Sequence, residues 1–140
     1  MNRILIAAFV SLLLCGCSAG NSSANTGVYM LIDTSGTYTE ELDKAEQIIR
    51  YTLSRLDATD SFAVARIDTG SFSERDIVAK TTFDDRPSMV NRQKRQFAEA
   101  VSAFVNGANP SPYTDITGGL LQAVEFLNEK DPGIKTIQIF

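Results

Sequence analysis

The chain has 140 residues, with 13 lysines and arginines against 17 aspartates and glutamates, and a net charge of −4. This length allows one domain. The sequence contains no histidine, which excludes Ser-His-Asp and Cys-His catalysis and the usual histidine-based zinc sites. An acidic chain presents no broad positive face to a phosphate backbone, so we do not expect nucleic-acid binding.

The first sixteen residues have the pattern of a removable export signal. A basic start at Arg3 precedes an almost wholly apolar run, Ile4 to Leu14. That run is too short to cross the ~30 Å hydrocarbon core of a bilayer as a helix. Residues 17–26 are small and polar, which is typical of a flexible tether. We therefore expect a signal peptide at 1–16, a tether at 17–26 and one domain at 27–140.

Leu14-Cys15-Gly16-Cys17 resembles the lipobox of bacterial lipoproteins. In that family the cysteine at the cleavage point is acylated and becomes the new N-terminus, and the resemblance assigns this role to Cys17. Several acyl chains on one cysteine anchor a protein stably to a membrane. The resemblance implies a protein of the bacterial cell envelope. Ser18 after the cysteine resembles the outer-membrane sorting pattern, which favours the outer membrane, facing the periplasm or the surface, over the inner membrane. Ordinary secretion is the alternative.

The remaining sequence alternates between strand and helix patterns. Continuous apolar runs predict buried strands, and apolar residues at three- and four-residue steps predict helices. A weaker, more polar segment is typical of an edge strand. The predicted elements are strand Val28–Ile32, a helix from Thr39, strand Ser61–Ile67, edge strand Asp76–Phe83, a helix from Pro87 to before Gly107, helix Thr117–Asn128 and strand Ile134–Phe140. This order predicts an α/β fold with a doubly wound, mostly parallel sheet, Rossmann-like in its arrangement.

Each predicted helix has one apolar face and one polar face. The apolar faces are Leu42, Ala45, Ile49, Leu53 and Leu56 in the first helix, Val90, Phe97, Val101, Phe104 and Val105 in the second, and Leu120, Val124 and Leu127 in the third. Three basic residues of the second helix are expected on its solvated side: Arg92, Lys94 and Arg95.

The last predicted strand, Ile134–Phe140, has the composition of a central strand. No covering element follows it, and a bare apolar strand would be an aggregation-prone edge. We therefore expect the chain to be the N-terminal portion of a longer domain, or a half-domain that a partner completes.

A polar turn, Asp33-Thr34-Ser35-Gly36-Thr37, follows the most apolar strand directly. In open α/β sheets, ligands gather at the carboxyl ends of the strands. A carboxylate and two hydroxyls at alternate positions can converge on one hard cation, and Mg²⁺ prefers oxygen ligands. Because hydroxyls are neutral, such a shell leaves positive charge on the ion, which would then attract an anionic group. The alternative is a turn whose hydroxyls cap the next helix.

The run from Val28 to Thr37 resembles the first strand and metal loop of von Willebrand factor type A (VWA) domains, with their Asp-x-Ser-x-Ser/Thr motif. Residues 56–64 resemble that family's helix end and second strand. Residues 114–120 resemble its second metal loop, and 134–140 resemble the strand that leads to its final metal-ligand aspartate. That aspartate would fall just past Phe140. The resemblance covers nearly the whole chain from about Gly27.

Carried over by position, the resemblance implies a metal-ion-dependent adhesion site made by Asp33, Ser35, Thr37 and Thr114. It would hold Mg²⁺ or Mn²⁺, and a protein partner would complete the shell with a carboxylate. Asp115 lies beside the site and is not counted as the missing ligand. The implied protein is not an enzyme.

Two other interpretations remain open. The same turn loosely fits the first motif of haloacid-dehalogenase-like phosphotransferases, in which the position of Asp33 is the nucleophile. Ser35 then stands where those enzymes carry their acid/base aspartate. The third interpretation is an α/β scaffold protein without metal. The segments Asp68-Thr69-Gly70 and Asp84 to Pro87 are predicted as turns without a functional role.

Overall fold

The computed structural model describes residues 24–35 and 39–140. Within them the chain forms four strands and three helices. The elements are β1 (Thr26–Ile32), α1 (Thr39–Arg55), β2 (Ser61–Arg66), β3 (Ile77–Thr82), α2 (Pro87–Gly107), α3 (Ile116–Lys130) and β4 (Ile134–Ile139), with a single 3₁₀ turn, Glu74–Asp76, before β3. The α/β class predicted from the alternating pattern is confirmed.

The four strands form one open sheet in the order β3-β2-β1-β4. β1 pairs in parallel with β2 on one side and with β4 on the other. β3 pairs antiparallel with β2 and lies at the edge, as its polar composition predicts. The sheet is therefore mostly parallel, and β1, the most apolar run of the described chain, lies in its interior.

The helices cover both faces of the sheet, so the doubly wound arrangement is confirmed. Alternate residues of β1 point to opposite faces. Val28, Met30 and Ile32 belong to a core shared with α1 and α2, and Tyr29 and Leu31 belong to a second core shared with α3. The first core includes Phe62 and Phe97, whose rings stack with centroids 4.7 Å apart. The predicted apolar faces of α1 and α2 are buried there, with Phe104 only partly buried.

The apolar stripe predicted for α3 is wrong in part. Leu127 is buried, but Val124 is 48% exposed, and the face that meets the sheet is formed instead by Gly119, Ala123 and Phe126. The small residues allow the helix axis to come close to the strands. The predicted apolar face is therefore turned about the helix axis from the face that contacts the sheet.

Two further expectations need correction. Gly107 is the last residue of α2 rather than the residue after it. Lys94 is half-buried, and its ammonium donates to the carbonyl of Leu56 and lies 5.8 Å from the centre of the Phe83 ring. β4 pairs with β1 alone within the described residues, and Ile139 is 47% exposed. Its expected place inside the sheet of a longer or completed domain stays a prediction.

Several predictions concern residues outside the described ones. These are the signal peptide 1–16, the lipidation site Cys17, most of the tether 17–26, and Thr37. At the end of the predicted tether, Thr26 already belongs to β1. In the part of the chain that the structure describes, no helix is both long enough and apolar enough to cross a bilayer.

Candidate functional site

Asp33 lies where the strand order reverses. It follows β1, and the chain leaves β1 towards β2 on one side, while β4 lies on the other. The Asp33 amide donates to the carbonyl of Phe140 at 2.8 Å, and the Ile67 amide donates to the carbonyl of Ile32 at 3.0 Å. The backbone around Asp33 is thus held by the ends of both neighbouring strands. Ligand sites of open α/β sheets are found at such reversal points.

The structure brings Thr114 next to Asp33, although 81 residues separate them. The Thr114 hydroxyl lies 3.3 Å from Oδ1 and 3.4 Å from Oδ2 of Asp33. A hydroxyl shared between two carboxylate oxygens at these distances makes a weak hydrogen bond. The loop before α3 is nevertheless placed over the carboxyl end of β1, so two of the predicted ligands lie together.

Ser35 is held beside the same carboxylate. Its amide donates to Oδ1 of Asp33 at 2.7 Å, which closes the turn that follows β1. Ser35 also forms a short parallel bridge with Ser111, whose amide donates to the carbonyl of Thr34 at 3.3 Å. The turn after β1 and the loop before α3 are therefore joined by their backbones as well as by Thr114. Thr37, the fourth predicted ligand, lies outside the described residues.

A buried polar network lies directly beneath this turn. The Thr34 hydroxyl donates to Oδ2 of Asp68 at 2.5 Å, and the Ser111 hydroxyl donates to the carbonyl of Asp68 at 2.5 Å. Both Thr34 and Asp68 are more than nine-tenths buried. Nε of Arg66 lies 3.4 Å from Oδ1 of Asp68 and equally far from Oδ1 of Asp76. Oδ1 of Asp68 accepts no hydrogen bond from any described residue, so the guanidinium attracts it by charge alone.

Asp115 joins the Thr114 loop to two neighbouring segments. Oδ1 accepts from the Gly118 amide at 2.8 Å, which caps the N-terminus of α3. Oδ2 accepts from the Phe72 amide at 2.8 Å, and the Asp115 amide itself donates to the carbonyl of Ile67 at 2.8 Å. The two amide donors, first Gly118 and then Phe72, lower the pKa of Asp115 below its usual range, because they stabilise the charged carboxylate.

The Asp33 carboxylate and the hydroxyls of Ser35 and Thr114 are oxygen ligands of the kind that a hard cation prefers. In an octahedral Mg²⁺ shell with bonds of about 2.1 Å, neighbouring oxygens lie about 3.0 Å apart. The separation between the Thr114 hydroxyl and the Asp33 carboxylate is close to that spacing. Such a site would use hydroxyls more than charged ligands. Across residues 24–35 and 39–140, no three histidine, cysteine, aspartate or glutamate side chains form a group that could hold a metal ion.

Sequence reasoning missed the buried network under the site. Asp68 was predicted as part of a turn without a role, but it is the acceptor that holds Thr34 and is nearly enclosed by protein. Asp68 lies just after β2 in the sequence, at the same sheet edge as Asp33. That position was the signal that could have identified it, because carboxyl ends of adjacent parallel strands lie side by side.

Comparison with known proteins adds no family assignment, since no protein-family model matches the chain and no curated protein is significantly similar to it. The resemblance to VWA domains and to lipoproteins therefore stays a prediction.

Proposed function

We propose that this chain is a lipid-anchored protein of the bacterial cell envelope whose VWA-like domain binds a protein partner through a divalent cation. The cation, Mg²⁺ or Mn²⁺, would be held by Asp33, Ser35, Thr37 and Thr114, and Cys17 would carry the lipid. The observation that carries the proposal is the position of the Thr114 hydroxyl beside the Asp33 carboxylate. Two motifs distant in the sequence share one place at the carboxyl edge of the sheet.

The electrostatics of this donor set favour a bridging role for the ion. One carboxylate and several neutral hydroxyls leave a divalent cation with net positive charge. A partner's carboxylate would complete the shell, because a hard cation prefers oxygen ligands and gains Coulomb energy from a negative one. Binding would then require the cation, the Asp33 carboxylate and an acidic residue on the partner at the same time.

The phosphotransferase alternative requires different chemistry from the same aspartate. Asp33 would have to form a covalent aspartyl-phosphate, and a second group would have to move the proton. Ser35 stands at the position of that group and is a poor proton carrier at neutral pH. A threonine hydroxyl is no better a proton carrier, so Thr114 beside Asp33 does not supply the missing group, and the adhesion-type site is the better supported function.

Cation binding is tested with Mn²⁺ on the purified full chain, with electron paramagnetic resonance reporting the free ion. We expect the wild type to bind Mn²⁺ and Asp33→Ala to lose binding. Thr114→Val keeps the size of the side chain without the hydroxyl and should weaken binding at least about tenfold. Asp57→Ala removes an exposed carboxylate between α1 and β2, at the opposite end of the sheet, and should bind like the wild type.

Partner binding is tested by capturing envelope proteins on the immobilised chain in Mg²⁺ or in EDTA. Capture should require the cation and should be lost in Asp33→Ala. Capture that is unchanged by EDTA would contradict the proposal. Hydrolysis of p-nitrophenyl phosphate that Asp33→Asn abolishes would instead favour the phosphotransferase.

A further inference from the structure

Asp115, the residue after Thr114, forms hydrogen bonds with three segments of the chain. Its backbone amide donates to the carbonyl of Ile67, the residue after β2. One carboxylate oxygen caps α3, and the other accepts from the amide of Phe72. All three donor–acceptor distances are 2.8 Å. The two bonds that the carboxylate accepts are charge-assisted, and such bonds are stronger than neutral ones.

The neighbouring glycine shows how closely these segments are packed. A Cβ atom at Gly118 would collide with Oδ2 of Asp115 and would lie 2.7 Å from Cβ of Phe72. The absence of a side chain there allows the carboxylate to lie between the start of α3 and the segment that follows β2. A glycine at this position is therefore needed for the carboxylate to reach both amides.

From these contacts we infer that Asp115 is a positioning residue: its carboxylate sets where the Thr114 hydroxyl lies relative to Asp33, and with it the cation affinity of the site. The inference rests on the proposed function. Both carboxylate oxygens are already engaged with backbone amides, so Asp115 acts through Thr114, the residue directly before it. Thr114 itself is exposed, and its loop depends on neighbouring bonds for its position.

The test uses Asp115→Ser and Asp115→Asn in the full chain. Serine still caps a helix but is too short to reach the Phe72 amide as well. Asparagine has the same shape, but its amide nitrogen cannot accept a hydrogen bond, so one of the two bonds is lost. We expect both variants to fold and to bind Mn²⁺ about 10- to 100-fold more weakly, the range for residues that orient metal ligands. Asp57→Ser is the matched control and should keep wild-type affinity.

A second measurement separates this inference from the proposed function. Hydrogen–deuterium exchange of the peptides that carry Phe72 and Thr114 does not depend on a cation. We expect faster exchange in both segments in Asp115→Ser and wild-type rates in Asp57→Ser. Wild-type Mn²⁺ affinity in the two Asp115 variants would overturn the inference. If the wild-type chain binds no Mn²⁺, the proposed function fails. The positioning role is judged separately: unchanged hydrogen–deuterium exchange around Thr114 in Asp115→Ser would overturn it.

Discussion

The buried hydroxyl of Tyr29 should make the protein sensitive to alkaline pH. Tyr29 lies on β1 with no exposed surface, and its ring meets that of Phe126 edge to face with centroids 5.4 Å apart. Its hydroxyl has no hydrogen-bond partner among the described residues. Burial, with a smaller contribution from the charge of Glu74, raises the pKa of Tyr29 from 10.0 to about 12. The cause is that the phenolate would lose its hydration inside the core.

The sign and size of the effect follow from that shift. Between pH 10 and 12 the unfolded chain loses the Tyr29 proton while the folded chain keeps it. The unfolded state then binds fewer protons, so the free energy of unfolding falls as the pH rises. A shift of about two units corresponds to about 2.7 kcal/mol in full, of which about 2.3 kcal/mol is lost by pH 12, and nothing is lost from this group well below pH 10.

Tyr29→Phe removes the ionisable group and keeps the ring. At pH 8 it should raise the free energy of unfolding by about 1 kcal/mol, because a buried hydroxyl without a partner carries an uncompensated desolvation cost. Above pH 10 the variant should not show the part of the fall in the free energy of unfolding that comes from the ionisation of Tyr29. The control is Tyr51→Phe, which changes a tyrosine that is 67% exposed on α1.

The assay is urea unfolding followed by far-ultraviolet circular dichroism at pH values from 8 to 11.5. The reasoning would be refuted if wild type and Tyr29→Phe lost stability in parallel above pH 10. It would also be refuted if Tyr29→Phe were destabilised at pH 8, since that result would mean that the hydroxyl is well bonded in the folded protein.

Two further substitutions test the packing around the site by the same unfolding assay at pH 7. Thr34→Val removes the donor to the buried carboxylate of Asp68 and should lower the free energy of unfolding by about 1.5–3 kcal/mol. Thr34→Ser keeps the hydroxyl and should cost less. A Thr34→Val variant as stable as the wild type would show that this hydrogen bond adds nothing to stability. Gly119→Ala places a Cβ 2.5 Å from Cγ2 of the buried Ile67. The resulting overpacking should lower the free energy of unfolding by about 1–3 kcal/mol, which exceeds the gain from the higher helix propensity of alanine. Gly107→Ala is the control, because a Cβ at that position meets no described atom within 4 Å. If Gly119→Ala were as stable as the wild type, α3 would have to be able to move away from the sheet at little cost.

The sequence by itself determined the order and type of the elements, because hydrophobic periodicity is a local property of the chain. The continuous apolar run of β1 indicated a strand buried on both faces, and that prediction is confirmed. The polar composition of residues 76–83 indicated an edge strand, which β3 is. The position of Asp33 at the carboxyl end of the interior strand also follows from the sequence alone.

Only the tertiary structure decided which polar groups meet. The contact between Asp33 and Thr114 joins the turn after β1 to the loop between α2 and α3, which are distant in the sequence, and the motif resemblance predicted it without giving its geometry. The burial of Asp68 under Thr34 depends on how the loops pack at the carboxyl ends of the strands. The same packing allows the Asp115 carboxylate to accept two backbone hydrogen bonds. The true contact face of α3 depends on small residues that allow close approach, which hydrophobic spacing does not reveal. Periodicity describes one element at a time, whereas burial and long-range hydrogen bonds depend on every element packed around them.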